Sequence, residues 1–493
     1  MKKLGELLDA FSYILSQGSP EQPIAGVTSD SRQVKPGWAF VAIRGFAVDG
    51  HQFVPQALER GAVAIVAETP PVPLPSRHVS CIQVSDSRLA LAQMTAAFYE
   101  HPSHTLALIG VTGTNGKTTT TYLVEALLRA NGLQPGVIGT VTYRYCGRER
   151  PADQTTPGPE EVQRLLQEMV QAQVSHCVME VSSHALALER VRGCRFAAAL
   201  FTNLTRDHLD FHRDMEAYYQ AKARLFREYP LGIAMVNGDD ASGRRLLAEI
   251  RAPVLTYGFS PKADVGVEHL KMHARGIELR ARVLGREVEV RSPLIGRHNV
   301  YNILGALALA AGLGVDLSQA IQGMESLVTV PGRFERVDAG QPFTVLVDYA
   351  HTDDALRNVL VAAREIAAGR LIAVFGAGGD RDRGKRPRMG RVAAECADVV
   401  LVTSDNPRTE PPLEIMQAVV GGCHEVSGGV PPRVIEDRAR AIQEAIAMAQ
   451  AGDVVVIAGK GHETYQILGH RRIPFDDRIV AREALQRLGF TVG

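Results

Sequence analysis

The sequence carries no net charge, because 54 lysines and arginines meet 54 aspartates and glutamates in 493 residues. That balance excludes a mainly electrostatic grip on nucleic acid or on an anionic membrane, so neither a nucleic-acid partner nor membrane insertion is expected. The six cysteines (Cys81, Cys146, Cys177, Cys194, Cys396 and Cys423) are scattered and form no CxxC, which excludes a zinc knuckle and a disulfide framework. Long apolar runs are also missing. The longest, roughly Ile303 to Val315, is broken by glycines and falls short of the ~20 residues a bilayer span needs. The opening MKKLGELLDAFSYIL is interrupted by Glu6 and Asp9 and has too short an apolar stretch for a signal peptide. No internal repeat or low-complexity tract stands out. These absences lead to the expectation of a reduced, soluble, cytoplasmic protein.

Hydrophobic residues at 45% and charged ones at 22% are ordinary globular values and exclude wholesale disorder. At ~150 residues per domain the length suggests about three domains. Residues up to about 100 read as short strands and turns, with a helix-like VPQALERG and a strand AVAIVAE. After the linker-like His101-Pro102-Ser103-His104, an apolar run LALIGV leads into GTNGKTTTTYLVEALLRANGL, a strand, a glycine turn and a helix ended by Gly132. Buried-type strands recur at HCVMEV and AALFTNL, separated by helical stretches, which predicts a parallel α/β sheet. Beyond Pro331-Gly332-Arg333 the runs FTVLVDYAH, LIAVFGAGG, DVVLVTSDNPR and DVVVIAGKGHE each end in polar or glycine-rich residues. In open α/β sheets ligands gather beyond the carboxyl ends of strands, so those endings are where chemistry is expected.

The strongest local signal is Gly113-Thr114-Asn115-Gly116-Lys117-Thr118-Thr119. Its glycines let backbone N–H groups turn toward phosphate oxygens, and the helix that follows adds its dipole. Lys117 would neutralise β/γ-phosphates, and the Thr118 hydroxyl can reach Mg²⁺. The longer GxxxxGK[ST] form would need glycine where this chain has Val111, so the motif is the shorter GxxGKTT. Phosphoryl transfer also needs hard oxygen ligands or imidazole around its metal. Glu180 ends a buried-type strand and His208 lies just past another, at the same sheet edge. Taken alone, that histidine would read as structural, and Lys222 in YYQAKARLF would read as a solvated helix lysine.

GVTGTNGKTTT, MEVSSHAL, FTNLTRDHLDFH, GRHNVYN, PGRFE and VDYAHTDDAL occur in that order and together resemble the Mur ligase superfamily, which includes folylpolyglutamate synthetases. TSDSR, DQTTP, DNPRTE and GKGHETYQ narrow the resemblance to the MurE type, and it covers nearly the whole chain. The resemblance implies an α/β protein of three domains: an N-terminal UDP-binding domain (1–102), a central P-loop ATPase with a mainly parallel sheet (103–332) and a C-terminal Rossmann-like domain (333–493). It implies an ATP-dependent ligase that phosphorylates the D-Glu side-chain carboxylate of UDP-N-acetylmuramoyl-L-Ala-D-Glu and gives the acyl phosphate to an amino acid in peptidoglycan synthesis. A monomer is the family expectation.

The same resemblance assigns residues. Lys117, Glu180, His208 and Lys222 would be catalytic. Lys222, as a carbamate, would hold metal together with Thr118, Glu180 and His208, with Mg²⁺ as the ion. ATP would meet Gly113 to Thr119 with Asn299, Arg333, Asp348 and His351. The UDP-dipeptide would meet Ser29, Ser31, Phe46, Ala47, Val48, Thr155, Thr156, Ser182 and Arg190. The incoming amino acid would meet Arg381, Asp405, Asn406, Pro407, Arg408, Gly459 and Glu463. The DNPR form is similar to members that add meso-diaminopimelate, since Arg408 can fork onto a distal carboxylate and Asp405 with Asn406 can meet the neighbouring ammonium. Three rival readings stand beside it: an L-lysine-adding MurE, a folylpolyglutamate synthetase-like ligase, and a P-loop ATPase switch that forms no bond.

Overall fold

The structure, a computed structural model, describes residues 1–46, 48–273 and 275–491. Three sheets organise the chain. The first has five strands in the order Tyr13–Gln17, Ser80–Val84, Ala64–Ala67, Trp38–Ala42, Gly26–Thr28, parallel except at the Tyr13–Gln17 margin. AVAIVAE supplies Ala64–Ala67, and all four of its residues are buried, as expected of a parallel strand covered on both faces. VPQALERG forms the short helix Val54–Glu59, with proline in its first turn where no intrahelical N–H is needed.

The second sheet has eleven strands. At its centre β1 (Ala107–Thr112) lies between β2 (His176–Glu180) and β3 (Phe196–Phe201), all parallel. Helix α1 (Lys117–Ala130) follows β1, α2 (Met215–Arg227) follows β3, and α3 (Arg297–Leu313) closes the layer over α1. Alternation along β1 divides the core. Ile109 and Val111 face Leu123, Leu127, Ile303, Leu304 and Leu307, while Leu108 faces the opposite layer with Leu225 and Phe226. The longest apolar run of the sequence is therefore a buried helix in this layer. Each fully buried leucine or isoleucine there contributes roughly 1.5–3 kcal/mol. Both margins of this sheet are antiparallel. Pro135–Ile138 pairs with Thr142–Tyr145 and then Arg148–Pro151 at one margin, and Val265–His273, Gly276–Val283 and Arg286–Ser292 form a meander at the other.

The third sheet has six strands. Its centre is β4 (Thr344–Asp348), β5 (Leu371–Phe375), β6 (Val399–Val402) and β7 (Val454–Ala458), in the order β4-β7-β5-β6 and all parallel, with Glu335–Arg336 antiparallel beside β4 and Arg433–Val434 parallel beside β6. Helices α4 (Asp353–Ile366) and α5 (Lys385–Cys396) connect β4 to β5 and β5 to β6. The connection from β4 skips over β7 to reach β5, so the strand order leaves a crevice beyond the carboxyl ends. Asp348 ends β4, Asp405 and Asn406 follow β6, and Gly459 follows β7. Among the described residues no helix is long and apolar enough to cross a membrane.

Candidate active site

The loop between β1 and α1 takes its shape from two glycines. Gly113 (φ 141°) lies so close to Thr202 that a Cβ would stand 1.8 Å from its Oγ1, and at Gly116 (φ 86°) a Cβ would stand 2.4 Å from Asn302 Oδ1. Only glycine combines those backbone angles with that closeness. Gly116 caps α1 with no side-chain hydrogen bond, so the first amides of the helix and the positive end of its dipole are presented to the cleft.

Two lysines, the half-buried Lys117 and the buried Lys222, converge on this loop. Lys117 Nζ donates to the carbonyls of Gly113 and Thr114, both at 2.9 Å, and Lys222 Nζ, from α2, donates to the Gly113 carbonyl at 2.7 Å. Lys222 is only 1% exposed and sits 4.6 Å above the Tyr218 ring. Burial, followed by the charge of Lys117, pushes its amine well below the ordinary lysine range. Burial also lowers Lys117.

Glu180, at the end of β2, is 1% exposed and fully engaged. It accepts from the Thr118 hydroxyl at 3.1 Å, from the Thr140 hydroxyl at 2.8 Å and from the Thr140 N–H at 2.9 Å. Arg333 then donates to Thr118 Oγ1 at 3.0 Å, which joins the third sheet's side of the cleft to the loop. The Thr118 hydroxyl and the Glu180 carboxylate together form a hard-oxygen pair that suits Mg²⁺. His208, in the left-handed conformation (φ 53°), stands beside Asp207 at 3.2 Å and edge-on to His184. Burial pushes its imidazole below the ordinary histidine range, with the charge of Asp207 opposing that shift. Among the described residues no three His, Cys, Asp or Glu side chains form a ready-made metal cluster. Mg²⁺ habitually relies on one or two protein oxygens plus substrate phosphates and water, and the pair is consistent with that habit.

One cavity of about 640 Å³ gathers most of the nucleotide residues expected from sequence. Thr114 to Thr119, Thr155, Glu180, His208, Asn299, Arg333, Asp348 and His351 all line it. Gly113, within the loop, and Lys222, bonded to the Gly113 carbonyl, are not among its lining residues. Asp348 accepts from the N–H groups of Phe334 and Ala350, which pins the turn carrying Arg333. Asn299 donates to the Ile295 carbonyl and accepts from Asn302, so its amide is already oriented. His351 is held by the carbonyl of Tyr349 through its Nδ1.

The residues expected at the UDP-dipeptide form two groups. Thr155 meets Thr140 at 3.1 Å, Thr156 donates to the Glu180 carbonyl, Ser182 N–H donates to Thr156, and Arg190 donates to the Thr156 carbonyl and to Gln154. Ser29 donates to Glu160 through both N–H and hydroxyl, and Ser31 donates to Gln56. Phe46 is 80% exposed and touches Phe211 edge-on at 5.6 Å, beside the exposed Val48. Ala47 lies outside the described residues.

Beyond β5, β6 and β7 the remaining expected residues meet. Arg408, in the left-handed region (φ 52°), donates to the Gly379 carbonyl at 2.7 Å, and Pro407 closes on Gly379 as well. Gly378 lies between the Arg408 and Arg381 side chains. Asn406 donates to Glu463 at 2.9 Å, and Gly459 leaves room for the Asp405 carboxylate. The GKGHE loop packs its Gly461 and His462 backbone on Gly332 and Tyr349, which places this pocket next to the nucleotide cavity. Sequence reasoning missed several participants. Lys460, inside GKGHE, is fully buried against Asn406 and Glu463. Asp354 binds Asn115 across the cleft at 2.9 Å, and Arg206 meets Asp382 at 3.2 Å. Lys460, Asp354, Asn115 and Arg206 stand inside motifs already singled out, whereas Asp382 and Thr140 do not.

A glycine-loop nucleotide cavity between the second and third sheets, with a further α/β unit ahead of them, defines an ATP-using α/β enzyme of three units. The chain belongs to the Mur ligase family. The Mur ligase middle domain matches residues 111–310, the Mur ligase glutamate ligase domain 332–461, and the Mur ligase family catalytic domain 23–99. The chain is similar to the UDP-N-acetylmuramoyl-L-alanyl-D-glutamate–2,6-diaminopimelate ligase of Solibacter usitatus (47% identity, 99% of both chains). It is also similar to that of Gloeobacter violaceus (49% identity, 98% of both). A solved structure of a ligase with that name superposes with a TM-score of 0.72 at 34% identity, over 99% of this chain and 100% of the other.

Proposed function

We propose that this chain joins meso-diaminopimelate to the D-Glu side-chain carboxylate of UDP-N-acetylmuramoyl-L-Ala-D-Glu, using ATP and releasing ADP and phosphate. The observation that supports this reading is the contact of the GKGHE loop with Gly332 and Tyr349, which brings the residues expected to hold an amino acid close to the nucleotide cavity. Residues 1–102 would bind the UDP end, 103–332 the ATP, and 333–493 the amino acid.

A carboxylate resists attack by an amine because its charge repels the nucleophile and oxide cannot leave. In the first step a side-chain carboxylate oxygen bonds to the γ-phosphorus of ATP as the bond to the β-phosphate oxygen breaks, giving ADP and an acyl phosphate. In the second the amine attacks the activated carbonyl, the tetrahedral intermediate collapses with loss of phosphate, and the amine gives up a proton. Bringing two anions together needs cations in a site with little water. Lys117 and Arg333 supply them here, and Arg333 is kept over the Tyr349 ring at 4.7 Å. Thr118 and Glu180 would hold Mg²⁺, with His208 and carbamylated Lys222 at a second position; the ion, when bound, neutralises phosphate charge. Thr155, Thr156, Ser182 and Arg190 would position the dipeptide next to Glu180. Arg408 and Arg381 would take the distal carboxylate, and Asp405 with Asn406 and Glu463 its ammonium.

The test is the mass of the product formed from UDP-dipeptide, ATP and diaminopimelate. The tripeptide nucleotide is expected, with phosphate release that depends on both organic substrates. ATP hydrolysis that needs neither would replace the ligase reading with a switch.

A further inference from the structure

Lys460 is the least accessible cation near the amino-acid pocket and has no part in the roles given so far. Its side chain is 0% exposed. Its Nζ donates to Asn406 Oδ1 at 3.1 Å and to Glu463 Oε2 at 2.9 Å, and stands 3.7 Å from Asp405 Oδ1. The Ile467 N–H occupies the other lone pair of Asn406 Oδ1 at 2.9 Å. With both acceptor positions of that oxygen filled, the amide cannot flip, so its NH₂ points to Glu463 and keeps one further N–H for a ligand. Asp405, 6% exposed, keeps Oδ1 without a hydrogen bond. A buried carboxylate oxygen in that state is a site for a ligand N–H.

We propose that Lys460 is a positioning residue that sets which amino acid the pocket accepts, an inference that rests on the amino-acid pocket proposed above. It acts in two ways. It locks the Asn406 amide in the orientation that offers an N–H. It also sets the charge of the pocket. Among the charged groups assigned to the pocket, Arg381, Arg408 and Lys460 are cations and Asp405 and Glu463 anions, an excess of one positive charge, while the buried Arg438 next to them is offset by its own partner Asp477. The distal end of a diamino diacid is a zwitterion and tolerates that excess, with its carboxylate on the arginines. The distal end of a plain diamine acid such as lysine is a lone ammonium, which the excess repels. Without Lys460 the pocket is neutral overall and Asp405 and Glu463 lose their cation, so a lone ammonium becomes welcome.

The experiment compares wild type with Lys460→Met and Lys460→Gln, measuring KM separately for ATP, UDP-dipeptide and diaminopimelate, and kcat/KM for diaminopimelate against L-lysine. Folding is checked by thermal unfolding. In Lys460→Met the KM for diaminopimelate is expected to rise on the order of 10- to 100-fold, the loss of charged hydrogen bonds, with the KM values for ATP and UDP-dipeptide unchanged. The preference for diaminopimelate over lysine should fall by about tenfold or more. Lys460→Gln, whose amide still donates to Asn406 or Glu463, should recover part of the KM but not the preference. Equal shifts in all three KM values, an unchanged preference, or failure of both variants to fold would each overturn the proposal. If wild type joins diaminopimelate while the variants keep its preference, only the Lys460 inference falls. If wild type makes no tripeptide nucleotide, the function itself falls.

Discussion

Lys117, at the start of α1, and Lys222, on α2, donate to one carbonyl oxygen, that of Gly113, at 2.9 and 2.7 Å. Two ammonium groups sharing one acceptor repel each other, and the more deeply buried Lys222 is the one driven toward the neutral amine. A neutral amine is the form that adds CO₂. Carbamylation would turn a repelling cation into an anion beside Lys117. The expected outcome for Lys222→Ala is a loss of turnover on the order of 100-fold, with partial recovery in short carboxylic acids. Intact mass in bicarbonate should show one added CO₂ in wild type only; no rescue and no added mass would remove the carbamate.

Gly116→Ala should abolish nucleotide binding while the fold survives. The new Cβ would press on Asn302 Oδ1 and hold a left-handed backbone, a strain of about 1–3 kcal/mol that the loop relieves by moving. Titration with ADP, paired with thermal unfolding, checks both halves of the expectation.

Arg408→Lys should impair diaminopimelate use far more than ATP binding, by roughly 10²- to 10⁴-fold, because a point charge cannot reproduce the planar fork. Steady-state kinetics with each substrate varied in turn would show the difference. A parallel loss in ATP affinity would count against the pocket.

Asn115 and Asp354 bridge the phosphate loop and the first turn of α4. Asn115→Ala and Asp354→Ala should each raise the KM for ATP, and the double variant should fall short of their sum by roughly 0.5–3 kcal/mol. Strict additivity would show that the bridge is not used during turnover.

The fully buried pair Arg438 and Asp477 predicts an effect on stability. Both side chains are 0% exposed, and the guanidinium donates to Asp477 at 2.8 and 2.7 Å. Arg438→Met should cost about 3–5 kcal/mol by leaving a buried carboxylate unpaired, and adding Asp477→Leu should recover much of that loss. Denaturant unfolding of the three proteins is the check.

Much of this was legible where local chemistry dictates local shape. The GTNGKTT loop could be read directly, since a glycine turn between an apolar strand and a helix has few uses. The four central strands of the third sheet were equally plain as apolar runs ending in polar residues, whereas its two short margin strands were not foreseen. The antiparallel margins were not foreseen. Ile277, Leu279, Ala281 and Val283 do alternate, but the arginines and glutamate between them give a weak half-buried pattern. Contacts between distant residues were invisible for a different reason. Nothing near Thr140 announces that it holds Glu180, and the joining of Lys222 to Gly113 is set by the packing of α2. Lys460 stood inside a recognised motif, yet only its burial distinguishes it from an ordinary loop lysine.

The most direct test of the central claim follows an oxygen atom. UDP-dipeptide carrying heavy oxygen in the D-Glu side-chain carboxylate is incubated with ATP and diaminopimelate, and the released phosphate is weighed. Activation through an acyl phosphate predicts that each phosphate formed carries a heavy oxygen from that carboxylate, matched by one tripeptide nucleotide. Phosphate released without the label would contradict the account.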